Sequence, residues 1–234
     1  MAKYKRVLLK LSGEALAGEK GTGFDEETCM AVAGQIKELV SDGTEVAIVI
    51  GGGNFWRGRS SGAIDRTKAD QIGMMATVMN CLYMSEICRT AGLMTQVLTP
   101  FECGSFTKLF SKDRANKYLK KGMVIFFAGG TGHPYFSTDT ATALRAIEID
   151  ADIIQAARAV DGVYDSDPAV NPEAKKFETM KISDIVDKRL GVVDLTSAVL
   201  CMENKMPMYV FGLNEKNSIT NAARGAGNGT MITA

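Results

Sequence analysis

Short apolar runs alternate with longer amphipathic segments along almost the whole chain. Several short runs are apolar at successive positions, as in parallel strands that are covered on both faces. The predicted strands are residues 6–11, 45–50, 94–98, 124–128, 152–156, 208–211 and 230–233. The predicted helices are residues 26–41, 67–91, 114–121, 140–149, 182–188, 195–206 and 218–223. The alternation predicts an α/β fold, a three-layer αβα sandwich with a mostly parallel central sheet.

Polar residues and glycines at the ends of these segments support the helix boundaries. Asp25, Asp194 and Ser218 stand where helix N-caps are expected, and Gly43 and Gly92 stand where helices end.

The chain length and the absence of an internal repeat or linker favour a single domain over residues 1–234. Residues 161–176 contain several Asp and Pro residues, so we expect a surface loop or a small hairpin there.

Charge and cysteine usage exclude several classes of protein. Lys plus Arg and Asp plus Glu number 27 each, so the chain gives no reason to expect a nucleic-acid or membrane partner. The five cysteines form no C-x-x-C pair, which disfavours zinc sites and disulfides and indicates a reducing compartment. Cys81 and Cys88 lie two helical turns apart and are expected in the core. Lys10 interrupts the first apolar run, so no signal peptide is predicted, and the expected location is the cytoplasm.

Four segments that follow predicted strands contain residues suited to binding phosphate. The first is Lys10-Leu11-Ser12-Gly13-Glu14, in which a lysine and turning backbone amides would suit a phosphate chain. A strand lysine that simply reaches solvent is the competing interpretation.

The second segment, residues 51–58, contains three consecutive glycines and then Arg57. Glycines let backbone amides approach a phosphate, and a guanidinium matches phosphate oxygens. The segment is neither a Walker motif nor a dinucleotide fingerprint, and a flexible turn remains an alternative.

The third segment, residues 128–140, runs from a strand through a Gly-rich loop into a helix, which is the order that phosphate binding at a helix N-terminus requires. Tyr135 and Phe136 could enclose a base. Asp139 could cap the helix or orient a cation. His133 is the only histidine, and because no G-x-S-x-G elbow occurs, we expect it to contact substrate rather than to serve a hydrolase triad.

The fourth segment, residues 160–168, is rich in aspartate but lacks the spacing of a calcium-binding EF-hand loop. Tyr164 could stack on adenine and Asp167 could accept hydrogen bonds from a nucleotide, whereas Asp-Gly and Asp-Pro alone would indicate only turns.

Taken in order, K-L-S-G, G-G-G-N-F-x-R-G, G-T-G-x-P-x-x-S-T-D and V-D-G-V-Y-x-x-D-P resemble the amino acid kinase family. The resemblance covers essentially the whole chain and is most specific for members that phosphorylate UMP. It implies an ATP-dependent transfer to UMP with Mg²⁺ as cofactor and no metal site made by the protein alone. It also implies a homohexamer, with GTP and UTP as effectors.

The resemblance also implies a role for each motif residue. ATP would be bound by Lys10, Leu11, Ser12, Gly13, Gly53, Arg57, Arg158, Tyr164 and Asp167. UMP would be bound by Gly52, Asp70, Thr131, Gly132, His133, Pro134, Tyr135, Phe136, Ser137 and Thr138. The catalytic set would be Lys10, Arg57, Asp139 and Asp194, with the two aspartates organising Mg²⁺ and the cations. Without the resemblance, Asp70 would be interpreted as a solvated helix carboxylate.

Several alternatives stay open at this stage. Arg158 stands where the family often has Thr, so its backbone could contact ATP while the role of its side chain is undecided. The Met-rich helix 67–91 could face the core or another subunit. The function could instead be transfer to a carboxylate or carbamate, or nucleotide sensing without catalysis. Hydride transfer is the least supported function because the dinucleotide fingerprint is absent.

Overall fold

The computed structural model describes residues 3–57, 64–188 and 193–233, so Gly58 of the second motif lies outside the described residues. The strands are β1 (Arg6–Leu11), β2 (Glu45–Ile50), β3 (Thr95–Thr99), β4 (Lys108–Leu109), β5 (Val124–Phe127), β6 (Ile153–Arg158), β7 (Val163–Tyr164), β8 (Lys176–Phe177), β9 (Thr179–Lys181), β10 (Met208–Gly212) and β11 (Thr230–Thr233). The helices are α1 (Gly13–Leu16), α2 (Glu26–Ser41), α3 (Arg66–Thr90), α4 (Lys112–Leu119), α5 (Thr138–Glu148), α6 (Ile182–Lys188), α7 (Leu195–Glu203) and α8 (Ser218–Arg224).

The large sheet has the strand order β4-β3-β5-β2-β1-β6-β10-β11-β9. β1 lies at its centre and pairs in parallel with β2 and with β6. Only β10 and β11 form an antiparallel pair in this sheet. Leu11 is in register with Ile50 on one side and Ala157 on the other, so three strands end at the same edge. The predicted mostly parallel sheet is confirmed.

Helices cover both faces of the sheet and form two separate hydrophobic cores. Alternate residues of β1 enter each core because strand side chains point to opposite faces. Leu9 packs in the core made with α2, α3 and α8, whereas Leu8 packs in the core made with α4 to α7. The three-layer prediction is confirmed, and the same alternation directs Lys10 toward the layer that contains α5.

Two of the three predicted N-caps are confirmed. The carboxylates of Asp25 and Asp194 each accept a hydrogen bond from the backbone N–H three residues later. The prediction for Ser218 is wrong, because Ser218 is the first residue of α8 and Asn217 precedes it in a left-handed conformation with no side-chain cap. The hydroxyl of Ser218 instead donates to the carbonyl of Leu213, 2.9 Å away, so a tertiary position outweighs the local capping preference.

The remaining differences concern short elements. β4 and β9 contain two and three residues, which is too few for a period-two pattern to be recognised in sequence. Residues 161–176 contain most of a hairpin, since β7 and β8 pair antiparallel with Val163 opposite Phe177. The predicted loop or small hairpin is therefore confirmed as a hairpin.

The cysteines are packing residues, as expected. All five are free thiols, and Cys29, Cys81, Cys88 and Cys201 are buried. Burial raises the pKa of Cys81 and of Cys88 to about 12, so neither forms a thiolate near neutral pH. Within the described part of the chain, every helix is too short or too polar to cross a membrane.

Candidate active site

The loops after β1 and β2 are locked together at the sheet edge. A side chain at Gly13 would collide with the carbonyl oxygen of Gly51, so only glycine permits this approach. Two buried amides complete the junction: Asn54 Nδ2 donates to Asn80 Oδ1 at 3.0 Å, and Asn80 Nδ2 donates to the Gly51 carbonyl at 2.6 Å. The sequence analysis missed Asn80, although an amide on an otherwise apolar helix face is a detectable signal.

Lys10 is buried beside a carboxylate rather than exposed to solvent. Its side chain is 11% exposed, and its Nζ lies 3.0 Å from Oδ1 of Asp139. Oδ2 of the same carboxylate lies 3.2 Å from Nη2 of Arg158. The alternative that Lys10 merely reaches solvent is wrong, and Arg158 has an ion-paired side chain where the sequence left its role undecided.

The Lys10–Asp139–Arg158 cluster keeps its carboxylate ionised. Burial acts to raise the pKa of Asp139, but the ammonium of Lys10 and the guanidinium of Arg158 outweigh it and leave the pKa below its usual value. Nε of Arg158 is buried and has no hydrogen-bond partner among the described residues. One carboxylate thus fixes two cations side by side beyond the ends of β1 and β6.

Asp139 is free for this task because another residue caps its helix. Ser137 is the N-cap of α5, and its Oγ accepts from the backbone N–H groups of Asp139 and Thr140, at 3.0 and 3.3 Å. Of the two roles offered for Asp139, the helix cap is wrong, since α5 starts at Thr138 and is capped by Ser137, whereas the orienting of a cation is confirmed by its pairs with Lys10 and Arg158. The carboxylate is attracted to Lys10 and Arg158 instead of to its own backbone.

Asp194 is tied to the start of α5 from the neighbouring helix α7. Its carboxylate accepts hydrogen bonds from the hydroxyls of Ser137 and Thr140, and from the backbone N–H of Ser197 at 3.0 Å. These contacts hold the N-terminus of α5 in place, so Asp194 is placed to act on the site through Ser137 and Thr140.

Arg57 approaches the same edge from the β2 loop, but it lies on the surface. Its guanidinium pairs with the carboxylate of Glu14, and the two side chains are 68% and 44% exposed. A side chain added at Gly53 would lie 2.6 Å from Oε1 of Glu14, so the two loops meet here as well. Glu14 belongs to the first predicted phosphate segment, but its sequence position gave no reason to assign its carboxylate a role.

A cavity of about 130 Å³ separates α3 from the loop after β5. Most residues that the family resemblance assigns to UMP line it, together with Trp56, Gly73 and Thr77, which the sequence analysis did not identify. The predicted lining residues are Gly52, Asp70, Thr131, His133, Phe136, Ser137 and Thr138. Gly132, Pro134 and Tyr135 belong to the same loop without lining the cavity.

Asp70 is held in place rather than solvated. Its carboxylate pairs with Arg66, whose Nε lies 2.9 Å from both oxygens, and accepts from the backbone N–H of Tyr135 at 2.8 Å. Tyr135 has φ +70, an unusual conformation for a tyrosine, and its ring is largely exposed beneath the Arg66 guanidinium. The interpretation of Asp70 as a solvated helix carboxylate is therefore wrong.

Two further side chains, those of Thr77 and Trp56, shape this cavity. The hydroxyl of Thr77 accepts from the backbone N–H of Gly129 at 2.9 Å and donates to the Met74 carbonyl at 2.7 Å. Nε1 of Trp56 donates to the carbonyl of Ala69 at 2.8 Å, which fixes the indole against α3. Neither side chain was predicted, because both act through backbone groups far away in sequence.

A second cavity, of about 420 Å³, lies beside the end of β6 and is lined by Arg158, Tyr164 and Asp167 among others. The hydroxyl of Tyr164 donates to Oδ1 of Asp161 at 2.6 Å, and Nζ of Lys176 lies 2.7 Å from Oδ2 of that carboxylate. Asp167 accepts from the backbone N–H two residues later at 2.9 Å. The predicted adenosine residues are thus brought together next to the Lys10–Asp139–Arg158 cluster.

A larger cavity of about 740 Å³ opens beside Ser12. Its lining includes four carboxylates, those of Glu14, Glu19, Asp25 and Glu27, against one ammonium, that of Lys20. An acidic wall is a poor match for a polyphosphate, so only its edge next to Ser12 concerns the predicted chemistry.

The sequence matches the model of the amino acid kinase family over residues 5–212. The chain therefore belongs to the amino acid kinase family.

Three solved structures show which kinds of kinase the chain is similar to. UMP kinase from Bacillus anthracis is 35% identical with a TM-score of 0.94, and the match covers 98% of this chain and 96% of that one. UMP kinase from Ureaplasma parvum is 34% identical with a TM-score of 0.93, over 99% and 100% of the two chains. Uridylate kinase from Archaeoglobus fulgidus is 26% identical with a TM-score of 0.75, over 99% and 100%.

Proposed function

We propose that this protein transfers the γ-phosphoryl group of ATP to UMP, giving ADP and UDP for pyrimidine nucleotide biosynthesis. The observation that carries the proposal is the Lys10–Asp139–Arg158 cluster, which lies at a sheet edge flanked by two cavities. The near full-length likeness to two UMP kinases supports UMP as the acceptor. The whole chain, residues 1–234, acts as one domain, an assignment supported by β1 and β11 sharing one sheet.

Phosphoryl transfer depends on positioning and on neutralising charge more than on covalent chemistry. The ATP phosphates are bound by the loops at residues 10–13 and by Gly53 and Arg57, with the adenosine part near Tyr164 and Asp167. Lys10 then stabilises the charge on the moving phosphoryl group. The phosphate of UMP is already anionic, so its oxygen attacks without a general base.

Asp139 and Arg158 support this step from behind Lys10. The carboxylate fixes the direction of the Lys10 ammonium, so no reorganisation is needed when charge develops. Arg158 adds a second cation toward the ATP side, since it also lines the cavity that contains Tyr164 and Asp167. Asp194 contributes indirectly, by holding the start of α5.

UMP occupies the cavity between α3 and the loop after β5. The N-terminus of α5, with Ser137 and Thr138, faces the phosphate, because backbone N–H groups and the helix dipole favour an anion there. Asp70 accepts hydrogen bonds from the ribose hydroxyls, since Arg66 and the Tyr135 N–H already orient its carboxylate.

Mg²⁺ enters as part of the Mg·ATP substrate and neutralises charge on the β- and γ-phosphates. In the described ranges, no three His, Cys, Asp or Glu side chains lie close enough together to hold a metal ion. The oxygens of Asp139 are already engaged by cations. The residues therefore fit an ion that is held mainly by ATP, and not a resident protein site.

The proposed assembly is a homohexamer in the cytoplasm with GTP and UTP as effectors. Apolar side chains on one face of α3 support subunit contacts: Ile72, Met75 and Met79 are 43%, 46% and 46% exposed. Exposed apolar stripes of this kind are typical of interaction surfaces. Light scattering of the purified chain measures the subunit number directly.

A panel of acceptors tests the function. UMP, acetylglutamate, aspartate, glutamate and carbamate are each supplied with Mg·ATP, and ADP release is followed in a coupled assay. Of the five acceptors, we expect only UMP to give rapid ADP release. The Lys10→Ala variant should release ADP much more slowly with UMP. Release with another acceptor would replace UMP in the proposal, and no release with any acceptor would favour nucleotide sensing without catalysis.

A further inference from the structure

Gly73 lies in the interior of α3, where glycine is among the least favourable residues. Its backbone is helical and its φ lies outside the left-handed region, so an alanine could adopt the same conformation. Local conformation therefore gives no reason for a glycine at this position.

Packing within the protein gives no reason either. A Cβ built at Gly73 meets one described side chain, that of Trp56, at an ordinary contact distance of 3.7 Å from Cδ1. Gly52, directly across, is different: a Cβ there would lie 3.0 Å from both the Ala76 Cβ and the Gly73 carbonyl oxygen. Gly52 is required by its neighbours, whereas Gly73 is not.

Gly73 borders the cavity between α3 and the loop after β5, in which the acceptor UMP is proposed to lie. Asp70 lies one turn before it and Thr77 one turn after it on the same helix face, and all three line the cavity. Asp70 is fixed by Arg66, and the indole of Trp56 is fixed by its bond to α3, so neither can easily withdraw. Because Gly73 has no side chain, the space between the polar side chains of Asp70 and Thr77 stays open.

We propose that Gly73 is a specificity-determining residue for the acceptor nucleotide. Because it has no side chain, the nucleoside can lie directly against the backbone of α3 at this turn. This inference rests on the proposed function and names a feature of the same site. The ribose that reaches Asp70 must pass the next turn of α3, which is the turn of Gly73. A methyl group there would take up part of a cavity of only about 130 Å³.

The test compares Gly73→Ala with Gly34→Ala. Gly34 lies inside α2, and a Cβ built there meets nothing within 4 Å, so the pair shares the same chemical change in a helix interior. Both variants are expected to raise Tm by about 1 to 4 °C, because alanine favours the helix. Correct folding of both is thereby checked in the same measurement.

UMP affinity is measured by titration calorimetry without ATP, and kinetics are measured with each substrate varied. We expect Gly73→Ala to weaken UMP binding and raise the KM for UMP by roughly tenfold or more, the usual effect of one misplaced methyl group in a pocket. The KM for ATP should be unchanged, and Gly34→Ala should match the unsubstituted chain in both.

The outcomes separate the two proposals. If the unsubstituted chain does not bind or phosphorylate UMP, the proposed function is overturned and this inference falls with it. If UMP is phosphorylated normally and Gly73→Ala binds it as tightly as Gly34→Ala does, the inference alone is wrong. A loss of ATP affinity equal to the loss of UMP affinity would also contradict the inference, because the added methyl group would then affect both substrates and not the acceptor alone.

Discussion

Lys10 and Arg57 reach the same edge of the sheet in opposite physical settings. Lys10 is 11% exposed and faces a carboxylate that is also held by Arg158. Arg57 is 68% exposed and pairs with Glu14 on the surface. A buried pair keeps one geometry and is weakly screened, whereas an exposed pair is screened by salt and contributes little to stability. Lys10 is therefore a preorganised cation at the proposed transfer centre, and Arg57 is an adaptable cation at the rim of that centre.

Lys10→Ala should have the largest effect. We expect kcat to fall about a thousandfold or more, because the charge that develops on the phosphoryl group loses its buried partner. The fold should survive, since Arg158 still neutralises Asp139. Steady-state kinetics at saturating ATP and UMP, together with Tm, measure both effects. A variant with near-normal kcat would show that Lys10 is not the transfer cation.

Asp139→Asn should affect both activity and stability. Removing the carboxylate leaves Lys10 and Arg158 together without their shared anion, so we expect the free energy of unfolding to fall by about 3 kcal/mol. We expect kcat to fall about a hundredfold, because Lys10 loses its fixed direction. Urea unfolding at pH 7 and kinetics under the same buffer measure the two effects.

The stability effect of Asp139→Asn should depend on pH in a defined direction. The folded-state pKa of Asp139 is below its ordinary value of 3.8, so ionised Asp139 stabilises the fold above about pH 4 and loses this contribution as pH falls through the folded pKa. The gap in unfolding free energy between the unsubstituted chain and Asp139→Asn should therefore shrink as pH is lowered from 7. An equal gap at pH 7 and at pH 3 would contradict the ion-pair explanation.

Arg57→Ala should have the smallest effect of the three. We expect kcat/KM to fall about tenfold and Tm to change by about 1 °C or less, because an exposed ion pair contributes little to stability. The difference in kcat/KM between the unsubstituted chain and Arg57→Ala should diminish with added salt. Arg224→Ala removes a surface arginine that pairs with Glu38 and Asp42 and serves as the control, with unchanged kinetics. A large loss of stability in Arg57→Ala would remove the contrast with Lys10.

Much of the architecture could be predicted because it depends on local patterns. The parallel strands and the long helices leave periodic apolar signals, and the Gly-rich loops fall directly after strands. For the cavity between α3 and the loop after β5, the order strand, Gly-rich loop and helix indicated a phosphate site, and the family motif supplied the assignment of single residues to UMP. Two helix-cap assignments failed for different reasons. Ser137 caps α5 in place of Asp139, whereas the hydroxyl of Ser218 donates to the carbonyl of Leu213.

Residues missed by sequence reasoning share a physical cause. Asn80 and Thr77 contact backbone groups that are distant in the chain, and neither stands in a motif. Their importance follows from which backbone atoms they meet after packing. Gly73 is another such residue, since what a side chain there would touch can be read only from the folded structure.

The sequence by itself determined how strands and helices alternate along the chain, the layers that they form and the edge at which the loops gather. It could do so because neighbouring residues set the backbone preference and the apolar period. Only the tertiary structure decided which charges meet there. Lys10 and Asp139 are 129 positions apart and come within 3.0 Å because α5 lies across the face of β1 on which Lys10 stands. Such partnerships depend on packing across the whole chain, so no local pattern contains them.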